Sequence, residues 1–600
     1  MRWEVPTMRS GTSFFDKTLF RTDLQRYWPL LFVYTGIWTV MLPVVLWAAT
    51  AMYGSAENVR EYLYTAMLMG VYMALIFCPL LAMALFSYLM NSRPVSLMHA
   101  LPVTRHTQFC SHVLAGLGMM AAGKLLVALL TLLVQLLRGS VVIGPLCLWF
   151  LVVTLVELFF FSLGILSCMI TGWLLAAPVL YAAANCIASV VMVLLEMLAG
   201  MFYFGYASPM NMPAVVRWLT PVYALNNTLG KRVYENMDAE SVAEQGSRIL
   251  NPEAIPMLAI YTVVALVFLA VSWLLYRQRA SESAGDPVAF SWAKPLFRCG
   301  ISLLGGLTLG LGVYSILAMN RSEVSMPLLL VCILLLGVVS YFAAEMVICK
   351  SFRVFTHGWP GAVAMILVLA AVCFATKMDI TGYQQRVPQA EKVETVEINL
   401  PYDSIYAEGC SSPELISAVV ALHQIVVDDP MPAAAGEEVF TLYLTYQLED
   451  GREMNRGFKL SAQRVREDPE LYQALATLLN CRELRYKDVL GNRYDPNKTY
   501  QMRGGYMFNE VEGGDQQITA EQAQALYEAV LEDLANGAGH RTPMEGSQEQ
   551  CVLRIELDAG DVTLWPEITS DFTETISVLL SLGVERDQIF WNENGSTLLD

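Results

Sequence analysis

Residues 91–110 read NSRPVSLMHALPVTRHTQFC, a short polar break between two long apolar runs. The run before the break covers about residues 66–90, and the run after it covers about residues 111–137. Each run is close to the ~20 apolar residues that a helix needs to cross the hydrocarbon core of a bilayer. The break is therefore predicted to be a loop at one face of a membrane, between two spanning helices.

Further apolar runs of similar length lie on both sides of this pair, so the sequence predicts nine spanning helices in all. They lie near 29–51, 66–90, 111–137, 142–169, 172–198, 256–276, 300–319, 326–349 and 360–377. Only Arg138-Gly139-Ser140 separates the third run from the fourth, which predicts a tight antiparallel pair. Residues 29–277 hold six of the spans, and residues 278–377 hold three more.

The first 28 residues precede the first predicted span. They contain no continuous apolar core, so they are not predicted to be a cleavable signal peptide. Residues 13–28 read SFFDKTLFRTDLQRYW and favour an amphipathic helix in the headgroup layer, with Ser13 and Asp16 as a capping pair. A solvated flank of the first span is the alternative.

Basic residues are concentrated in every second loop. Arg93 and Arg105 lie in the break at 91–110, and later inner segments carry Arg277, Arg279, Lys294, Arg298, Lys350 and Arg353. The positive-inside rule therefore places the N-terminus and the break in the cytoplasm. With an odd number of spans, the C-terminal part is then predicted to be extracellular.

Residues 378–600 differ in composition, with 39 Asp and Glu against 16 Lys and Arg and a net charge of −23, whereas the rest of the chain is net +6. Residues 440–448 alternate apolar and polar side chains before an Asp450-Gly451 turn, which predicts a β-hairpin. We therefore expect an all-α polytopic membrane domain followed by an acidic extracellular α+β domain. The acidic charge argues against nucleic acid as a partner, because phosphate binding requires clustered Lys and Arg.

Motifs for catalysis are not evident. Residues 118–124, GMMAAGK, match a nucleotide-binding P-loop as far as Lys124, but Leu125 stands where a metal-binding Ser or Thr is required. The sequence contains no CxxC, HExxH or zinc pattern. We expect this chain to be no enzyme and to bind neither a metal nor a cofactor.

Two charged residues fall inside predicted spans, Lys124 in the third and Glu157 in the fourth. A charge at mid-depth costs about 3 kcal/mol unless it is paired or hydrated. Counted from the turn at Gly139, the two residues lie roughly 23 and 27 Å along their helices at 1.5 Å per residue. An ion pair is therefore geometrically possible. It would either fix the packing of the helices or belong to a polar pathway, and both interpretations stay open.

The opening segment SFFDKTLFRTDLQRYWPL and the later segment MHALPVTRHTQF resemble permease subunits of ABC transporters of the ABC-2 type. The resemblance is to those of Firmicutes with extra spans and a C-terminal outer domain. It implies that residues 1–28 form a cytoplasmic elbow helix and residues 29–277 a six-span core. It also implies that a cytoplasmic loop docks into a separate ABC ATPase, which binds ATP and Mg²⁺. The loop residues are Leu101, Pro102, Val103, Thr104 and Arg105.

The resemblance further implies a multi-pass protein of the cell membrane of a Gram-positive bacterium, paired with an identical or different second permease chain. The function it implies is ATP-driven export of an amphipathic compound such as an antimicrobial peptide or a drug. Three extra spans and the outer domain depart from the plain six-span pattern. A non-transporting role in sensing or mechanotransmission is therefore the alternative.

Overall fold

The computed structural model describes residues 14–52, 56–208, 212–234, 248–319, 325–355, 358–430, 432–434, 436–509, 515–545, 550–551, 553–560, 562–585 and 589–591. These residues belong to two compact units. The first unit contains 1–194, 212–313 and 331–370, and the second contains 195–211, 314–330 and 371–600. The second unit therefore includes short segments from the helical part of the chain as well as the acidic C-terminal part.

Helices dominate the chain as far as Lys377. They are α1 (Lys17–Thr39), α2 (Val45–Met52), α3 (Ala56–Phe86), α4 (Ser92–His99), α5 (Arg105–Arg138), α6 (Ile143–Ile170), α7 (Ala176–Phe202), α8 (Ala214–Trp218), α9 (Pro221–Gly230), α10 (Ala254–Gln278), α11 (Ala293–Leu317), α12 (Met326–Cys349) and α13 (Trp359–Lys377). Strands β1 (Val233–Tyr234) and β2 (Arg248–Ile249) pair between α9 and α10. Among the described residues, nine helices are long and apolar enough to cross a membrane, with α1 and α2 forming one of them. The chain is a multi-pass membrane protein, as predicted.

The first span differs from its predicted bounds. α1 begins where the Asp16 carboxylate accepts the N–H groups of Thr18 and Leu19, at 2.8 and 2.9 Å. It continues through Pro29 to Thr39, and a π-helical turn then joins it to α2. α1 is thus one continuous helix across residue 28, the predicted end of the elbow, and one of its faces packs against the core through Leu24, Tyr27 and Leu30. Ser13 lies outside the described residues.

The core of the first unit is built around α3, α6 and α10, and α1 packs along α5. Small residues allow the backbones to approach closely. A Cβ atom on Gly70 of α3 would lie 2.7 Å from the Val153 side chain of α6, and one on Gly164 of α6 would lie 3.0 Å from the Pro79 Cα of α3. Large aromatic rings also pack in this core, with Trp38 of α1 and Trp149 of α6 in an edge-to-face contact at 5.1 Å.

Helices α11 and α12 pack through a GxxxG pair, Gly306 and Gly310. A Cβ atom on Gly306 would lie 2.9 Å from the Cα of Gly337, and one on Gly310 would lie 2.6 Å from the Cα of Ile333. The pair therefore serves as a packing contact.

The acidic part of the second unit contains two four-stranded antiparallel sheets. The first region comprises β3 (Val393–Leu400), β4 (Ile405–Cys410), α14 (Pro413–Asp428), β5 (Val439–Leu448), β6 (Glu453–Ser461), α15 (Ala462–Glu467), α16 (Pro469–Leu479) and α17 (Arg482–Leu490). The second comprises β7 (Gly504–Asn509), β8 (Asp515–Ile518), α18 (Ala520–Ala535), β9 (Gln550–Cys551), β10 (Leu553–Asp558), β11 (Thr563–Leu564), α19 (Thr573–Ser581) and β12 (Phe590–Trp591). The predicted α+β character of this part is confirmed.

The two sheets share one strand order. The first runs β4-β3-β5-β6 and the second β8-β7-β10-β11, so each has a first hairpin, a helix and a second hairpin, with the first and third strands at the centre. In β5 every second side chain is buried, including Phe440, Leu442, Leu444 and Tyr446. The predicted turn at Asp450-Gly451 joins β5 to β6, and Gly451 adopts the positive φ of 75° that such a turn favours.

Candidate functional site

The break at 91–110 contains a short helix, α4, one side of which packs against the core of the first unit. Val95 is buried in the core of the first unit, and Met98 packs against the same core. The opposite side carries two apolar residues that face outward, Leu97 at 71% exposure and Leu101 at 36%. α4 and the turn that follows it therefore present an exposed apolar ridge, Leu97 and Leu101, next to side chains that are packed in the core.

The turn after α4 contains most of the residues predicted to couple to an ATPase. Leu101 O accepts the N–H of Val103 at 2.7 Å. Thr104 is the N-cap of α5, since its hydroxyl accepts the N–H of Thr107 at 3.2 Å. Pro102 and Thr104 are exposed and Val103 is half-buried. The turn is thus compact and accessible at its tip.

Arg105, the fifth predicted coupling residue, makes contacts within the chain. Its Nη1 atom donates to the carbonyl oxygens of Arg277 and Arg279, at 3.1 and 2.8 Å. These groups lie at the C-terminal end of α10, where carbonyls lack helical partners. His99 Nδ1 lies 2.8 Å from Ser281 Oγ, which gives a second connection to the same segment. The loop is therefore fixed to the end of α10 at two points.

Arg279 joins three helix ends and was not singled out from the sequence. Its Nη1 atom donates to the carbonyls of Cys168 and Met169, at 2.7 and 2.9 Å, and its Nη2 atom donates to Leu89 O at 3.1 Å. Burial lowers the pKa of Arg279 to about 10, so the guanidinium stays charged at neutral pH. Arg279, which follows α10, thus binds the end of α6 and the 3₁₀ turn Ser87–Met90 that follows α3. In the sequence, Arg279 looks like any other arginine that flanks a span.

A chain of hydrogen bonds links α4 to the same region. Tyr88 OH and Tyr276 OH lie 2.9 Å apart, and Tyr276 OH donates to Gln108 Oε1 at 3.0 Å. Gln108 Nε2 in turn donates to Met98 O at 2.7 Å. We refer to Arg105, Gln108, Tyr276 and Arg279 as the polar clamp. The clamp therefore connects α4 to α5 and α10 by hydrogen bonds.

The two charged residues predicted inside spans are in contact. Lys124 Nζ lies 2.5 Å from Glu157 Oε2 and donates to Thr154 Oγ1 at 2.7 Å. Tyr34 of α1 donates its hydroxyl proton to Glu157 Oε1. Lys124 and Glu157 are each only 1% exposed. The pair therefore joins α5 to α6 inside the core, and the tyrosine adds α1.

A second buried pair lies between α1 and α5. Asp23 Oδ2 is 2.5 Å from His112 Nδ1, and both residues are buried. The His112 ring also lies 5.3 Å from the ring of Tyr88. Within the part of the chain that the structure describes, no group of three or more His, Cys, Asp and Glu residues could hold a metal ion. Both pairs connect helices, Asp23–His112 joining α1 to α5 and Lys124–Glu157 joining α5 to α6.

The site thus consists of an exposed ridge on α4 and the turn after it, the polar clamp that connects this region to α5 and α10, and a buried ion pair between α5 and α6. Comparisons with protein-family models, with curated proteins and with solved structures find no match to this chain.

Proposed function

We propose that this protein is the permease subunit of an ABC transporter of the ABC-2 type. A separate ATPase subunit hydrolyses ATP in the cytoplasm and acts on α4, and the spanning helices respond by exporting an amphipathic compound such as an antimicrobial peptide or a drug. The observation that carries the proposal is the exposed ridge of Leu97 on α4 and Leu101 in the turn after it, beside the buried Val95.

The geometry supports docking in a groove of another protein. A short helix with an apolar ridge inserts into a groove by its exposed side chains. Arg93 on α4 is also exposed and adds a positive charge beside the ridge. Because Val95 and the polar clamp fix α4 to the bundle, a partner that moves the ridge also moves α5 and α10.

The distribution of basic residues supports an orientation with α4 in the cytoplasm and the acidic α+β part outside. In this arrangement the ATP and Mg²⁺ belong to the ATPase subunit. A second permease chain, identical or different, would complete a two-fold assembly, as is usual for oligomers. The buried Lys124–Glu157 pair fixes three helices of the core in this proposal.

A second candidate function is mechanotransmission without transport. The observation that favours it is that residues 203–206, which follow α7, are bound to the edge of the first sheet of the second unit. In this alternative the ATPase drives a movement of the α+β part, which acts on an outer partner.

Two experiments test these proposals: the first tests docking of the ATPase, which both require, and the second separates them. Leu97→Asp should abolish copurification of the ATPase, and Phe352→Asp is the matched control, since Phe352 is exposed in a different loop. Retention of the ATPase by Leu97→Asp would contradict the docking role. The purified complex in liposomes then tests transport. ATP-dependent movement of an amphipathic compound supports export, whereas ATPase activity that moves no compound and depends on an outer partner supports mechanotransmission.

A further inference from the structure

The segment that follows α7 pairs with a sheet edge in the second unit. The N–H of Gly457 donates to Gly205 O at 3.2 Å, and Tyr206 and Arg456 form an antiparallel β-bridge. β6 is an outermost strand of the first sheet, and unpaired strand edges attract other chains. Residues 203–206 therefore cover part of an edge that would otherwise be open.

The side chains of this segment enter the core of the first α+β region. Phe204 packs against that core, and its ring lies 5.3 Å from the ring of Phe458. Gly205 has a φ of 73°, and a Cβ atom there would lie only 2.2 Å from Phe458. Two features therefore favour glycine at position 205, the positive φ and the lack of room for a Cβ atom beside the Phe458 ring.

Arg456 connects this segment to the one that follows α13. Its Nη2 atom donates to the carbonyls of Tyr383 and Arg386, the latter at 2.6 Å. The guanidinium carbon lies 3.9 Å from the centre of the Tyr383 ring, and the Tyr203 ring stacks on that of Tyr383 with the ring centres 5.6 Å apart. Arg456 is 1% exposed, and burial lowers its pKa. The two carbonyls and the ring therefore hold the buried guanidinium in place and connect β6 to the segment after α13.

The segment after α13 is itself shaped by hydrogen bonds. Asp379 accepts the N–H groups of Tyr383 and Gln384, each at 2.8 Å. Gln384 Oε1 then accepts the N–H of Phe204 at 3.0 Å. The segments that follow α7 and α13 therefore both contact β6, although they are far apart in the sequence.

We propose that residues 203–206, 383–386 and 456–458 form a latch that makes the last turns of α7 and the first α+β region move as one body. Arg456 is its central residue, so we name it the Arg456 latch. Its existence does not depend on an ATPase. In the proposed transporter it would make the α+β region follow every displacement of the end of α7, and that consequence alone rests on the proposed function.

Hydrogen exchange on the full chain in nanodiscs tests the latch. Arg456→Met should raise exchange about tenfold in peptides that cover 203–208 and 379–387, because the bonds that protect these amides open locally. Arg452→Met is the matched control, since Arg452 lies in the same hairpin but its side chain is exposed and pairs with the neighbouring Asp450. Tyr383→Leu, which keeps the buried cation and removes the ring, should raise exchange in the same peptides by a smaller factor.

Unchanged exchange in these two segments for both Arg456→Met and Tyr383→Leu would overturn the latch. An equal increase in Arg452→Met would overturn it as well, since the effect would then not depend on the buried contact. A rise in hydrogen exchange that extends to β7 and β10 in Arg456→Met would indicate unfolding. The exchange of the two segments in Tyr383→Leu would then decide whether the latch exists.

Spin labels at Met197 in α7 and Ser417 in α14 test the common motion, after the exposed cysteines Cys147, Cys186, Cys299 and Cys349 are changed to serine. The wild-type distance distribution should be narrow and should stay narrow during ATP turnover, and Arg456→Met should broaden it. A broad wild-type distribution overturns the proposal. If the distribution stays narrow but ATP moves neither label relative to the membrane, the result counts against the proposed function and leaves the latch intact.

Discussion

Replacing Lys124 by methionine removes one half of the ion pair inside the helical core. The Glu157 carboxylate would keep its bond from Tyr34 and lose the ammonium group that lies 2.5 Å away. Both charged residues are 1% exposed, so water cannot replace the lost partner without opening the packing. We therefore expect Lys124→Met to destabilise the protein.

The size of the effect follows from the burial. Breaking a buried ion pair from one side costs about 3–5 kcal/mol, and the remaining tyrosine bond to Glu157 places the expected loss near the lower value, about 3 kcal/mol. The double variant Lys124→Met with Glu157→Met replaces both charges by apolar side chains of similar length. It should be more stable than Lys124→Met alone, because no unpaired charge remains, although the Tyr34 hydroxyl loses its acceptor.

Denaturant unfolding in detergent micelles measures these differences, with Lys350→Met as the control. Lys350 pairs with Asp286 at 2.6 Å, but its side chain is 52% exposed, so its loss should cost less than about 1 kcal/mol. Transport by the double variant, at matched expression, then separates packing from a polar pathway. A single variant as stable as the wild type, or a double variant less stable than either single one, would refute the reasoning.

Three further predictions concern other parts of the chain. Burial, and then the charge of Arg456, lowers the pKa of His423 to about 3. The unfolded histidine binds a proton below pH 6.5 and the folded one does not, so the first α+β region should lose about 3 kcal/mol by pH 4.5. Hydrogen exchange against pH should show this loss, and His423→Gln should reduce it. Gly310→Leu should separate α11 from α12 and lower the melting temperature, whereas Gly312→Leu, with no atom within 4 Å, should not. Arg279→Met should loosen the α4 end of the bundle and raise proteolysis there, whereas the exposed Arg277 should tolerate the same change.

Much of the fold follows from local sequence patterns. The apolar runs predict the nine spans to within several residues at most ends, because spanning needs a fixed length of apolar helix. The Lys124–Glu157 contact is predictable for a related reason. The tight turn at Gly139 fixes the register of α5 against α6, so depth can be counted from it.

The contacts missed by sequence reasoning are those between distant segments. Arg279 has the same local pattern as other arginines after spans, and only the fold brings it to Leu89 and Cys168. Arg456 lies in a strand whose alternation gives no sign of the segments after α7 and α13. The continuous α1 through Pro29 was missed because a proline after a polar segment is a common helix boundary, and packing overrides it here.

We propose that α4 contacts a cytoplasmic ATPase, and a photo-crosslinking amino acid at position 97 tests this contact in the living cell. In intact cells it should yield a covalent adduct whose mass spectrum contains the peptides of an ATPase with its nucleotide-binding motifs, while the same amino acid at position 352 should not. Adducts with lipid alone, or labelling of position 97 by a membrane-impermeant reagent from outside the cell, would contradict the account.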